Sequence, residues 1–103
     1  MESIKVNTMK ESTYKIPNGK LLKIKLWVEH GKIKRVMILG DFFLHPENTI
    51  VELEDHLAGK PLDEEILSSD IDSFLSESKA TLIGADGSSI AKAILIASNL
   101  SES

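Results

Sequence analysis

The sequence contains no cysteine, and this absence excludes disulfide bonds, thiolate metal sites and thiol nucleophiles. It also has no stretch that reaches the roughly 18 apolar residues needed to span a membrane as a helix. The first ten residues lack the apolar run of a signal peptide. From these absences we expect a cytoplasmic protein that has no membrane partner.

Motifs for catalysis and for phosphate binding are missing as well. The run Gly84-Ala85-Asp86-Gly87 has the pattern of a turn and helix cap rather than of a glycine-rich phosphate loop. His30, His45 and His56 fall on different predicted elements, and no two of them have the spacing of metal ligands. Solvated helix faces explain the many carboxylates more readily than acid–base catalysis does. We therefore expect no catalytic residue, no metal site and no cofactor bound by this chain alone.

Positive charge is outnumbered, with 12 Lys and Arg against 16 Asp and Glu and a formal net charge of −4. Nucleic-acid binding depends on neutralising phosphates, so this balance argues against a nucleic-acid partner. At 103 residues, with 42% hydrophobic and 27% charged residues, the chain has the size and composition of one soluble globular domain.

A β-hairpin is predicted in the basic part of the chain, after a short strand over 13–16. Pro17-Asn18-Gly19 is a turn signal, and apolar and polar residues alternate from 20 to 29, as in a half-buried strand. His30-Gly31 supplies a tight turn, and 33–39 forms the return strand.

The simplest register of this hairpin places Val28 opposite Ile33 and Leu26 opposite Arg35. Its core face then carries Leu22, Ile24, Leu26, Val28, Ile33, Arg35, Met37 and Leu39. Its other face carries Lys23, Lys25, Trp27, Lys34, Val36 and Ile38. Arg35 is the exception on the core face, and we expect its long side chain to reach the edge. A bulge at Gly31 is the alternative, and it would move residues between the two faces.

Three helices are predicted after the hairpin. Pro46 suits the first position of a helix that ends at Gly59, with Ile50, Leu53 and Leu57 on its apolar face. Acidic residues at 63–65 open a second helix, either continuous or broken at 68–70. Residues 80–84 form an apolar connector, and the cap signal at 86–89 opens the last helix. The apolar face of that helix consists of Ile90, Ala91, Ile94 and Ala97.

Strands followed by helices indicate an α+β fold, with a small antiparallel, hairpin-based sheet whose apolar face is covered by about three helices. Residues 1–12 are expected to form a loosely held arm, with an edge strand as the alternative. Residues 13–100 are expected to form the single domain, and 101–103 a polar tail.

The tetrapeptide Gly40-Asp41-Phe42-Phe43 is the first candidate binding element. Neighbouring side chains of an extended segment point to opposite faces, so both phenylalanines cannot enter the same core. We expect one to pack inside and the other to lie under a helix or to face a partner. Asp41 has a structural alternative, which is to hold this corner by hydrogen bonds to backbone amides.

Basic residues of the hairpin surround Trp27 and form the second candidate. They are Lys23, Lys25, Lys32, Lys34 and Arg35. Lysines on a sheet commonly serve to protect its edge, but a positive patch can also face an acidic partner or a phosphate group. Trp27 is either core at the sheet edge or an anchor of an interface.

Most of the chain, from about Tyr14 to Leu100, resembles the C-terminal accessory domain of lipoate–protein ligases, and the resemblance is strongest over 19–62. The matching runs are Asn18-Gly19-Lys20-Leu21-Leu22, Val28-Glu29-His30-Gly31-Lys32-Ile33, Val36-Met37-Ile38-Leu39-Gly40-Asp41-Phe42-Phe43, Glu52-Leu53-Glu54 and Leu57-Ala58-Gly59.

This resemblance implies a helper of an enzyme rather than an enzyme. In that family a catalytic domain binds lipoate and ATP, with Mg, and forms lipoyl-adenylate before it transfers the lipoyl group to a carrier protein. The accessory domain packs against the catalytic domain and is implicated in adenylation. The chain starts with Met1 and lacks any catalytic-domain motif, so we expect the separate small subunit of a two-chain ligase, a heterodimer that meets the lipoyl carrier only indirectly.

The predicted contact surface with the catalytic subunit consists of Gly40, Asp41, Phe42, Phe43, Trp27, Lys23, Lys25 and Lys34. The alternative function is a stand-alone binding module that uses its basic hairpin on an acidic protein or on RNA.

Overall fold

The computed structural model describes residues 9–17 and 20–100, with the backbone alone at Leu100. The predictions for the first eight residues of the arm, for Asn18-Gly19 and for the tail at 101–103 lie outside these residues. The elements are β1 (Met9–Lys15), β2 (Leu21–Glu29), β3 (Lys32–Gly40), β4 (Phe43–His45), α1 (Thr49–Leu57), α2 (Glu64–Glu77), β5 (Thr81–Ile83) and α3 (Gly87–Leu100).

The predicted α+β class is confirmed. An antiparallel sheet in the order β1-β2-β3 and a two-stranded sheet of β4 and β5 combine with the three helices. On the apolar face of the larger sheet, α3 lies against β1 and β2, and α1 lies against β3. Helix α2 packs mainly on α3 and so forms an outer layer. One apolar core extends from the sheet through these helices.

The hairpin of β2 and β3 turns at His30-Gly31, where both residues have positive φ, 54° and 76°. This is the geometry of a tight two-residue turn that matches the twist of the strands. Val28 lies opposite Ile33, as predicted, but Trp27 lies opposite Arg35. Lys34 is therefore an extra residue, and the bulge lies there rather than at Gly31.

The bulge corrects the predicted core face beyond Ile33. Val36 and Ile38 are buried at 2% and 3% exposure, whereas Arg35 and Leu39 are exposed and lie on the opposite face with half-buried Met37. A regular register would have buried a guanidinium and exposed two β-branched side chains. Burying an unpaired charge costs far more than interrupting the ladder at one residue. The three-residue step from Ile33 to Val36 is the sequence signature of this bulge.

Deletion of Lys34 is expected to leave the fold intact, because it removes only the extra residue and restores a regular hairpin with the same faces. The free energy of unfolding should change by about 1 kcal/mol or less. Deletion of Lys25 is the matched control. It should unfold the domain, because it reverses the faces of the strand on one side of the deletion. Denaturant midpoints of the two variants check this prediction, and an equal loss of stability in both variants would contradict it.

Helix α1 begins later than predicted. Its first residue is Thr49, so Pro46 is not at the first helical position. The carbonyl of Pro46 instead accepts the Thr49 N–H at 2.9 Å, in the turn that precedes the helix. Leu53 and Leu57 are fully buried, as their spacing predicted. Glu54 of the same helix reaches the edge of the sheet, where its Oε2 accepts the Ile38 N–H at 2.8 Å.

The last two helices follow their predicted caps. The Asp63 carboxylate accepts the Ile66 N–H at 3.1 Å, and α2 then continues through 68–70 without a break. The Asp86 carboxylate accepts the Ser89 N–H at 2.8 Å at the start of α3. The connector predicted for 80–84 is instead mostly strand β5, which pairs with β4.

Candidate partner-binding surface

The corner after β3 depends on Gly40. Its φ is +152°, and a Cβ atom there would fall on the carbonyl oxygen of Leu21. That oxygen accepts the Asp41 N–H at 3.0 Å. The corner is thus held by the backbone of Asp41. No hydrogen bond to its carboxylate is found among the described residues, so the structure does not support the structural alternative for this side chain.

The two phenylalanines divide as expected. Phe42 is half-buried and packs against the main core. Phe43, the first residue of β4, is 67% exposed. Its partner across β4 and β5 is Ile83, which is 57% exposed. An apolar pair therefore projects from the surface beside the corner.

The second candidate lies on the face of the β1–β3 sheet turned away from the helices, here called the open sheet face. Its residues are Met9, Glu11, Thr13, Lys15, Leu21, Lys23, Lys25, Trp27, Arg35, Met37 and Leu39. Within 9–17 and 20–100, no helix packs over these side chains. Lys25, Trp27 and Met37 are half-buried among their neighbours, so the face has a partly apolar centre.

Positive charge is concentrated in the part of the chain that forms this sheet. Residues 9–40 carry eight Lys or Arg and two Glu, whereas residues 41–100 carry three Lys and twelve acidic residues. On the open sheet face the Lys23 ammonium lies 3.1 Å from the Glu11 carboxylate, an exposed pair that contributes little to stability. The Arg35 guanidinium lies 5.0 Å from the centre of the Trp27 ring. The face is basic, and its tryptophan is covered by a cation.

The structure brings most of the predicted surface together around Leu39. This residue is 40% exposed on the open sheet face, next to Lys23 on β2. It also lines a groove of about 320 Å³ together with Gly40, Phe42 and Phe43. Of the seven large apolar side chains that are exposed in the described ranges, five lie on this joined surface, namely Met9, Leu21, Leu39, Phe43 and Ile83. Such clustering is typical of an interaction site.

Lys34 is the predicted surface residue that lies apart. It is exposed at the bulge and lines a cleft with Val51 and Asp55 of α1, beyond the outer edge of β3. Sequence reasoning counted Arg35 among the basic hairpin residues but placed it on the core face and left it out of the predicted contact surface, and it missed Ile83. The bulge signature could have revealed Arg35, whereas Ile83 depends on a pairing between distant parts of the chain.

No group of three or more His, Asp or Glu side chains within the described part of the chain could hold a metal ion. His56 stacks on Phe74 with ring centres 5.0 Å apart, which is a packing role. None of the helices in the described residues is long and apolar enough to cross a membrane.

The family model described as bacterial lipoate protein ligase C-terminus matches residues 6–92. A curated relative, lipoate-protein ligase A subunit 2 of Thermoplasma acidophilum, is 34% identical over 58 residues, which make up 56% of this chain. The match spans 61% of the length of that relative.

A solved structure gives a longer match. It contains an archaeal lipoylation system, a bi-partite lipoate protein ligase and its E2 lipoyl domain, from Thermoplasma acidophilum. One of its chains matches with a TM-score of 0.70 and 28% identity, over 84% of this chain and 94% of that chain.

Proposed function

Because this chain belongs to the bacterial lipoate protein ligase C-terminus family, we propose that it is the non-catalytic accessory subunit of a two-chain lipoate–protein ligase. The observation that carries the proposal is the likeness to a chain from the solved bi-partite ligase system, over 94% of that chain. The relative described as subunit 2 of such a ligase supports it.

The subunit promotes the ATP-dependent activation of lipoate by its catalytic partner. In that step the lipoate carboxylate displaces pyrophosphate from ATP and forms lipoyl-adenylate, which then supplies the lipoyl group to a carrier protein. ATP, lipoate and Mg are bound by the catalytic chain. A docked subunit can order a mobile loop over the nucleotide and keep water from the reactive acyl-adenylate.

The docking surface for the catalytic chain is the corner with Phe43 together with the open sheet face. The two parts meet at Leu39. Phe43 and Trp27 supply aromatic area, which is enriched at the energetic centres of interfaces. Lys23 and Lys25 supply positive charge, which speeds association with an acidic patch and sets its orientation.

The test is lipoate-dependent pyrophosphate release by the catalytic ligase chain of the same organism, with and without this protein. We expect release to rise about tenfold or more when both chains are present, a coupling typical of one protein acting on the site of another. Full activity of the catalytic chain alone would contradict the proposal. ATP turnover by this chain alone would contradict its non-catalytic role.

The charge asymmetry favours a second candidate, a stand-alone module that binds an acidic protein or RNA through its basic hairpin. RNA binding of this kind weakens steeply with salt, because it depends on the release of counterions. Absence of RNA binding at low salt would remove the RNA form of this candidate.

A further inference from the structure

Arg35 has an arrangement that the sequence did not predict. The bulge at Lys34 turns it away from the core and onto the open sheet face. There its guanidinium lies 5.0 Å from the centre of the Trp27 ring. Bulges often re-aim a side chain at functional sites, and the attraction between a cation and the face of an aromatic ring restricts where the guanidinium lies.

The stacked guanidinium is not used inside the chain. Among the described residues it forms no ion pair and no hydrogen bond. The acidic residue of the same face, Glu11, is engaged with Lys23 at 3.1 Å. Arg35 is exposed, and its guanidinium has no carboxylate partner among the described residues, although Glu54 and Asp55 line the same cleft as Arg35.

We propose that Arg35, stacked on Trp27, binds a carboxylate on an acidic patch of the catalytic subunit. This inference rests on the proposed function and names the chemistry of its docking site. A planar guanidinium forms two parallel hydrogen bonds to a carboxylate, which a lysine cannot do. The contact with Trp27 restricts the Arg35 side chain before the partner arrives, so less side-chain entropy is lost on binding.

The surroundings of Arg35 favour an acidic protein surface as the occupant. Lys25, on the neighbouring strand, has no ion pair in the described part of the chain and adds positive charge. Met37 and Leu39 supply apolar area on the same face. A basic patch with an apolar centre complements a protein patch with apolar groups surrounded by carboxylates. RNA is disfavoured because twelve acidic residues lie in 41–100.

Trp27 provides the readout, because it is the sole tryptophan of the chain. The full chain is labelled with 5-fluorotryptophan and titrated with the unlabelled catalytic chain of the same organism, followed by fluorine NMR and calorimetry. The variants are Arg35→Gln, which removes the charge, and Arg35→Lys, which keeps the charge but cannot form two parallel hydrogen bonds to one carboxylate. Lys79→Gln is the matched control, since Lys79 is exposed after α2.

We expect the Trp27 resonance to shift on binding of the wild-type chain. The dissociation constant should rise about 30-fold or more for Arg35→Gln, which leaves a partner carboxylate unpaired. It should rise for Arg35→Lys as well, and stay unchanged for Lys79→Gln. The melting temperatures of all variants should equal that of the wild-type chain, because Arg35 is exposed.

Two different results would distinguish a failure of this inference from a failure of the proposed function. If the wild-type chain binds and stimulates the catalytic chain but Arg35→Gln binds equally well and the Trp27 resonance does not move, the inference is wrong and the proposed function stands. If the wild-type chain neither binds nor stimulates the catalytic chain, the proposed function fails and this inference fails with it. A shift of the resonance by polyuridine RNA but not by the catalytic chain would also overturn the inference.

Discussion

Replacement of Gly40 by alanine is expected to destabilise the domain by about 3 kcal/mol or more, a large part of the stability of a domain of this size. Gly40 has a φ of +152°, in a region that is essentially restricted to glycine. The added Cβ would also meet the Leu21 carbonyl oxygen, which is backbone of the neighbouring strand and cannot rotate away. The chain must therefore open the corner that presents Phe43.

Gly59→Ala is the control for this prediction. Gly59 also has positive φ, +89°, but no atom lies within 4 Å of where its Cβ would be. Its replacement should cost only the conformational strain, about 1–2 kcal/mol. Urea denaturation of both variants gives the comparison. Equal losses would show that backbone strain alone, and not the collision at Leu21, makes glycine necessary at position 40.

Strand β2 was predictable because its alternating pattern extends over nine residues. Three of its four predicted core side chains, Leu22, Ile24 and Leu26, are fully buried, and the fourth, Val28, is half-buried against the core. The face on which each side chain of β3 lies was predicted wrongly beyond Ile33, because a strict two-residue period ignores the free-energy cost of burying Arg35. The inner face of β3 packs against α1, and Val36 and Ile38 rather than Arg35 are buried there. A three-residue step between β-branched residues is enough to recognise the bulge.

The small sheet of β4 and β5 was missed for a different reason. Each strand has three residues, too few to show a period, and the pairing joins Phe43 to Ile83 across two helices. Non-local pairing of this kind leaves no local signal. The sequence predicted that one of Phe42 and Phe43 packs inward and the other points outward. It did not reveal that the exposed Ile83 lies beside Phe43 and enlarges its apolar surface.

The sequence assigned the corner and the basic residues Lys23 and Lys25 with Trp27 to one contact surface, but it did not show which residue connects them. Leu39 joins them, yet the predicted register placed it in the core. The same one-residue shift brings Arg35 over Trp27. The error in the register and the omission of Arg35 from the predicted contact surface therefore have one cause.

Replacement of Phe43 by alanine is expected to separate binding from folding. Phe43 is 67% exposed, so the variant should keep the free energy of unfolding within about 0.5 kcal/mol of the wild-type value. Its affinity for the catalytic chain should fall about 30-fold or more, since a central aromatic anchor typically contributes about 2 kcal/mol or more to binding. At limiting concentrations of this chain, pyrophosphate release should fall by a similar factor.

Two further variants interpret that result. Ile66→Ala removes an apolar side chain that is 45% exposed on α2, away from the joined surface, and should change neither binding nor activation. Phe42→Ala removes the half-buried ring and should lower stability, because Phe42 packs against the core. If Phe43→Ala binds and activates like the wild-type chain while Ile66→Ala does not, the interface lies on the helical side and not at the corner. If Phe43→Ala loses binding at unchanged stability while Ile66→Ala binds normally, Phe43 is the anchor of the interface. A loss of stability in Phe42→Ala would then show that the half-buried Phe42 ring holds the corner that presents Phe43.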